Sequence, residues 1–393
     1  MLGRAVPRAG LAVLAVVLLS LPVSTGGLSA QRPGAWVVTS RVVVAHASGV
    51  VVAPGGATAA VLASDPARVV WLALPSGRTT AKASLPMPAT AAVFTADAKT
   101  LVVSYGDCAF GPGPCAATDS IGILPAGSTH IEALRVGSGA GALAAVPGTS
   151  DVLVAASGAA TVSLVDAAGS PTVARVFHMA PGALRAVAVS AGGQLAAISN
   201  ATAGTVTFLD LSSGRIVGVA SVHNGAGPVV LPPGLSYAFA GEGGGPWLFA
   251  LHLPRGARVY GFGGAEGVRS LVDLAAPSIV AAASARTQTV VLLTLGTAAG
   301  SPATGQHSVS VGTPASGSVA GLAAADGGDE VLAAAQKGLA VISATELRLV
   351  QLLRPQVLGG APRALSGDGA GVAAVVAGGG VDILAQSGSR GNG

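Results

Sequence analysis

Three histidines and three arginines stand at recurring places along this 393-residue sequence, and their chemistry suits them to hold a ligand. His46, His178 and His223 each precede a glycine-containing link: His46-Ala-Ser-Gly, His178-Met-Ala-Pro-Gly and His223-Asn-Gly-Ala-Gly. Neutral imidazole is the commonest metal ligand, so a metal or haem role is open to them. The plainer reading is three ordinary polar loop residues. Arg185, Arg269 and Arg363 each fall near the start of a β-prone run. A guanidinium there could grip a carboxylate or phosphate through paired N–H donors, or pair with Asp273 or Asp368. Glu242 and Glu266, in glycine-rich stretches, are the acids to test as a general base. Asp166 and Asp210 occupy matching turn positions and are read as Asx turns. No His-Glu-x-x-His, phosphate-loop or convincing Gly-x-Ser-x-Gly motif occurs, so no catalytic residue is assigned.

The elements that carry these residues form a repeat. After Arg185 come Ala-Val-Ala-Val-Ser, a Gly-Gly turn, and Gln-Leu-Ala-Ala-Ile-Ser-Asn. Then follow Gly-Thr-Val-Thr-Phe-Leu-Asp, a Ser-Ser-Gly turn and Arg215-Ile-Val-Gly-Val-Ala-Ser-Val. Each run is too short for a stable helix, and the small residues between runs favour chain reversal. The same grammar recurs over 141–179 and 50–86, and more loosely over 85–138, 228–267, 268–317 and 318–360. Four short strands in about 40–50 residues are the signature of a propeller blade, which must stack on neighbours to bury both faces. Residues 362–386 supply only three strands, and Trp36 to Ala45 is a spare strand before the first full unit. Pairing the two closes the ring and hides the free edges. The expectation is an all-β fold: a single β-propeller over 35–390, four antiparallel strands per blade, with eight blades by count. Merging two loose units would give seven.

The Ala-Val-Ser-x-x-Gly opening, the Gly-Thr-Val-x-x-x-Asp strand and the Ser-Gly-Arg turn resemble YVTN-type propeller repeats, best over 183–222 and fairly over 139–182. Through that family the chain is distantly similar to propeller lactonases, haem-d1 propellers and amine-dehydrogenase heavy chains. The resemblance implies a fold, since those relatives do different things on one scaffold. The Trp-Asp and Gly-His signatures of WD40 blades are absent.

Composition narrows the class. Half the residues are hydrophobic, 10% are charged, and Gly contributes 58. Long disorder shows the reverse balance, and helices tolerate glycine poorly. The first thirty residues read as a signal peptide: Arg4 and Arg8 precede the apolar run Leu11 to Val23, and small residues follow. That run is shorter than the about 20 residues of a membrane span, so membrane association is expected only if it stays uncleaved. An extracellular or periplasmic location follows. Cys108 and Cys115 flank the turn-forming Ala-Phe-Gly-Pro-Gly-Pro, and a disulfide closing this loop suits an oxidising compartment better than a two-thiol zinc site. Residues 391–393 are a tail.

The net charge of +4 comes partly from the leader, and no basic stripe with stacking aromatics is present, so nucleic acid is not an expected partner. The leading expectation is an exported binding or scaffold module for a protein partner or small ligand, with no cofactor and no metal. The alternatives are a lactonase-like hydrolase built from His, Arg and Glu at the channel mouth, or a redox propeller holding a cofactor. Aromatics make up 3% of the chain, which counts against the flat walls a haem or quinone wants.

Overall fold

The computed structural model describes residues 34–105, 118–254, 258–274, 278–284, 286–296, 302–312, 319–325, 329–368 and 371–387. The expected leader, Cys108, Cys115 and the tail 391–393 lie outside them.

The described residues form eight sheets, each of four antiparallel strands in sequential order from the ring's inside to its outside. Blades 1 to 7 begin at Ala47, Ala91, Ala140, Leu184, Ala226, Val268 and Gly321. Blade 8 takes Pro362–Gly367, Val372–Ala377 and Gly380–Gln386 from the C-terminal end, and Trp36–Val43 as its fourth strand. The count is therefore eight, with closure by the N-terminal strand as the spare run implied. The first strands of neighbouring blades touch all around the ring.

Burial follows strand position. The second strand Ile279–Ser284 is buried throughout, and Leu195–Asn200 is buried after its first residue. Such strands are covered on both sides by neighbouring blades, so their sequences are continuous Ala/Val/Ile runs without alternation. Fourth strands are the reverse: Thr172–His178 and Arg215–Ser221 are largely exposed, except for Phe177 and Ala220 beside their last residues. The apolar side chains gather into eight clusters, each shared by two adjacent blades. The core thus lies between blades, which is why a lone repeat unit cannot fold.

Ring closure is reinforced at its seam. Trp36 is fully buried, and its indole Nε1 donates to Glu330 Oε2 of blade 7 at 2.7 Å. Gln351 of the same blade accepts from Trp36 N at 2.9 Å and donates to Trp36 O at 2.8 Å.

Candidate ligand-binding face

Alternating strand direction sorts the loops of the ring onto two faces. Links from a fourth strand to the next blade's first strand share one face with the second-to-third turns; this is the link face. Every side chain singled out from the sequence as a ligand candidate lies on it. The other face carries the first-to-second and third-to-fourth turns, among them those of Asp166 and Asp210.

Arg185, Arg269 and Arg363 are each the second residue of a first strand, in blades 4, 6 and 8. The pairing register shows why they match. Leu184 pairs with Asn200 and Ala186 with Ser199, so Arg185 is the extra residue of a β-bulge. Arg269 lies between Val268↔Ser284 and Ser270↔Ala283, and Arg363 between Pro362↔Ala377 and Ala364↔Val376. A bulge releases one side chain from the pleat and re-aims it. Ser48 and Gly141 hold the same place in blades 1 and 3. Arg269 and Arg363 are exposed and Arg185 is half-buried, with its Nε lacking a hydrogen-bond partner among the described residues.

The backbone around Arg185 is clamped from both sides. Ser157 Oγ, from blade 3, accepts from Leu184 N at 3.0 Å and donates to Leu184 O at 3.2 Å. The buried Asn200 amide donates to Ala180 O at 3.1 Å and Pro181 O at 3.2 Å, while its Oδ1 accepts from Ala203 N. Gly182, at φ +141°, passes so close that a Cβ there would stand 2.3 Å from Asn200 Oδ1. Near Arg269, Ser284 Oγ donates to Glu266 O at 2.8 Å.

The first strands below these arginines are half-buried rather than sealed, as in Leu184–Val189 and Pro362–Gly367, so solvent reaches the channel they line. Asp273 and Asp368 do not sit at this mouth. Asp273 lies four residues beyond Arg269, about 13 Å along the strand. Burial pushes its carboxyl above the ordinary range. Asp368 follows the far end of its strand and accepts from Val372 N at 3.0 Å.

The histidines are dispersed. His46 is exposed at φ 57° in the link into blade 1, its carbonyl accepting from Ser64 N at 3.0 Å. His178 ends the fourth strand of blade 3, and His223 lies in the link into blade 5; both are exposed. Among the described residues no three His, Cys, Asp or Glu side chains come close enough to hold a metal ion. Glu266 is exposed in the link into blade 6, whereas Glu242 is fully buried beneath its glycine-rich turn. The Glu242 carboxylate accepts from Asn224 Nδ2 and Trp247 N, both at 3.4 Å. On the other face Asp166 Oδ1 accepts from Ala168 N at 2.9 Å, the Asx geometry expected of it, whereas Asp210 Oδ1 accepts from Ser213 N, three residues on, at 2.9 Å. The Ser212 hydroxyl beside Asp210 holds its carboxyl below the ordinary range.

Sequence reasoning missed a cavity of about 420 Å³ between the outer strands of blades 3 and 4. Val176, His178, Arg215 and Ile216 are among its walls, so His178 belongs to the rim of the ring. No single-unit pattern could signal it, because its two walls come from different repeats.

No protein-family model and no curated protein sequence matches the chain. Solved propellers do. The structure of Chaetomium thermophilum Sqt1 bound to the N-terminus of the ribosomal protein L10 is similar at a TM-score of 0.67 and 14% identity, over 88% of this chain and 98% of that one. The β-propeller domain of Myceliophteria thermophila Cps50 (Swd1) is similar at 0.57 and 11% identity, over 90% of this chain and 100% of that one. At such identities the likeness is one of fold: the chain is an eight-bladed β-propeller that shares its architecture with these proteins.

Proposed function

We propose that the protein is a non-catalytic binding module, exported from the cytoplasm, that holds a polypeptide partner on its link face over the channel mouth. The observation that carries this reading is the pairing of a rim clamped by hydrogen bonds where it enters blade 4 with a solvent-reached channel beneath it. A rigid rim limits the ordering cost of association, which leaves more of the contact energy as affinity. Sqt1, on the same architecture, is described bound to the N-terminus of another protein, which supports a polypeptide as the partner here. The YVTN-type grammar of 183–222 and the Arg4/Arg8 leader support placing the chain among exported repeat proteins.

The test is face-specific photo-cross-linking in the native host. A benzophenone side chain is placed at His223 or Gln336 on the link face, and at Ser76 or Ser212 on the other; all four residues are exposed. A defined adduct from the link-face positions alone is expected. Adducts from the opposite face, or none from either, would overturn the reading. Export is checked by fractionation and by mass spectrometry of the mature N-terminus.

A further inference from the structure

The charged side chains of the ring are segregated by face. Consider those in loops or within the first or last two residues of a strand, among the described side chains. On the link face these are eight basic against four acidic; on the opposite face, four basic against ten acidic. The basic set begins with Arg185, Arg269 and Arg363 at the channel mouth. Arg286 and Lys337 join them in second-to-third turns and Arg354 in the link into blade 8. Arg68 and Arg135 complete it at strand ends. Of the four acids there, Glu242 is buried, and Asp119 is already paired with Arg135 at 3.3 Å.

The acidic face has a local explanation. Asp97, Asp166, Asp210 and Asp368 all accept backbone N–H bonds inside their own turns, which is what aspartate does in a tight reversal. Arginine has no such role in a turn, so turn formation does not account for the basic face. A second observation is independent of charge. Buried polar atoms without hydrogen-bond partners among the described residues lie on that same side: Arg68 Nε, Arg185 Nε, and the hydroxyls of Thr161 and Ser199. Buried polar groups are normally satisfied, and of these Arg185 Nε, on a first strand, is the unmet donor at the channel mouth, where an acceptor can reach its guanidinium.

Resting on the binding-module reading above, we infer that the partner segment is acidic, its carboxylates taken by the bulge arginines of blades 4, 6 and 8. Guanidinium forks match carboxylates bidentately, and a face of one sign also speeds encounter with a partner of the other. A base-stacking strand is the poorer fit. Single-stranded nucleic acid is held by successive aromatic platforms, and Trp247, 42% exposed, is the one exposed large aromatic on this face among the described residues.

The experiment uses the mature protein and a fluorescein-labelled deca-glutamate peptide, read by fluorescence anisotropy at low and at physiological ionic strength. Binding that weakens with salt is expected. The Arg185→Gln/Arg269→Gln/Arg363→Gln variant should bind at least about tenfold more weakly. Arg78→Gln/Arg215→Gln, on the opposite face, should bind as the parent does. An unchanged melting temperature confirms the triple variant's fold; if it is altered, Arg363→Gln alone, at an exposed site, carries the test. Absence of peptide binding, or triple-variant binding within about twofold of the parent, overturns the inference. Tighter binding of an oligothymidine than of the peptide overturns it in favour of nucleic acid. If link-face cross-links form while deca-glutamate fails to bind, the binding module stands and its acidic partner falls.

Discussion

Arg41 and Asp382 face each other across the seam where the two ends of the chain meet. They are direct register partners, and the Arg41 Nε to Asp382 Oδ1 distance is 2.5 Å. Asp382 is 1% exposed, and its second oxygen has no hydrogen-bond partner among the described residues. Arg41 also donates to Val357 O at 2.7 Å, tying the seam to the link before blade 8. Burial pushes the Asp382 carboxyl up to about 6, with Arg41 opposing the shift.

This pair gives the ring a pH dependence with a definite sign. The folded-state value lies above the unfolded one near 3.9, so the native chain holds the extra proton between about pH 4 and 6. Stability contributed at this site therefore falls as pH rises through that window, by about 3 kcal/mol in all. Calorimetry should show the parent gaining stability from pH 7 to pH 5 relative to Asp382→Asn, which cannot titrate. Arg41→Ala should lose about 2 kcal/mol at neutral pH, less than for a fully buried pair because Arg41 is 42% exposed. Acid should restore most of that loss. A loss that persists at pH 5 would assign Arg41 a packing role instead.

Trp36 anchors the same seam by shape. Trp36→Ala should destabilise the protein by about 3–5 kcal/mol, since the cavity opens in the cluster joining blades 7 and 8. It also leaves Glu330 without its indole donor. Equilibrium urea denaturation measures the effect. Trp36→Phe keeps most of the volume and loses the N–H, so its smaller loss separates packing from the hydrogen bond. A change under about 1 kcal/mol for Trp36→Ala would mean that the closing strand contributes little to the fold.

The sequence carries the ring more legibly than its surfaces. Runs such as Leu195–Asn200 show themselves because strands covered on both sides must be apolar throughout. Trp36–Val43 stands out because only the three-stranded last unit lacks a partner for it. Arg185, Arg269 and Arg363 could be matched by unit position, yet the bulges that make them equivalent depend on pairing between strands. Arg41 and Asp382 lie 341 residues apart, a distance no local pattern spans. Glycine-rich turns usually lie open to solvent, yet Glu242 is fully buried. Its burial comes from the Asn224 link folding against that turn, with the Gly244 N–H donating to Asn224 O at 3.1 Å.

The clamp before Arg185 should be intolerant of a methyl group. Gly182→Ala would force a Cβ to within 2.3 Å of Asn200 Oδ1 at a φ of +141°. A loss of about 1–3 kcal/mol is expected, read by thermal denaturation. Asn200→Ala should cost a similar amount, because it leaves the carbonyls of Ala180 and Pro181 without their donor. The two changes act on one contact, so the double variant should lose less than the sum of the singles. Strict additivity would show that the glycine and the asparagine are energetically separate.

The outer strand of blade 4 exposes three β-branched apolar side chains. In Arg215–Ser221, Ile216, Val217 and Val219 are 49%, 38% and 53% exposed, and Val176, 48% exposed, lines the rim cavity together with Ile216. An outermost strand presents unpaired N–H and C=O groups, and β-branched side chains on such an edge invite pairing with a second chain. Val219→Lys places a charge there without removing a buried contact. Its stability should stay within about 0.5 kcal/mol of the parent, because the site is a surface one. Self-association at high concentration, followed by light scattering, should fall. If stability drops by more than about 1 kcal/mol, Val219 is packed in solution and the exposed edge is already covered.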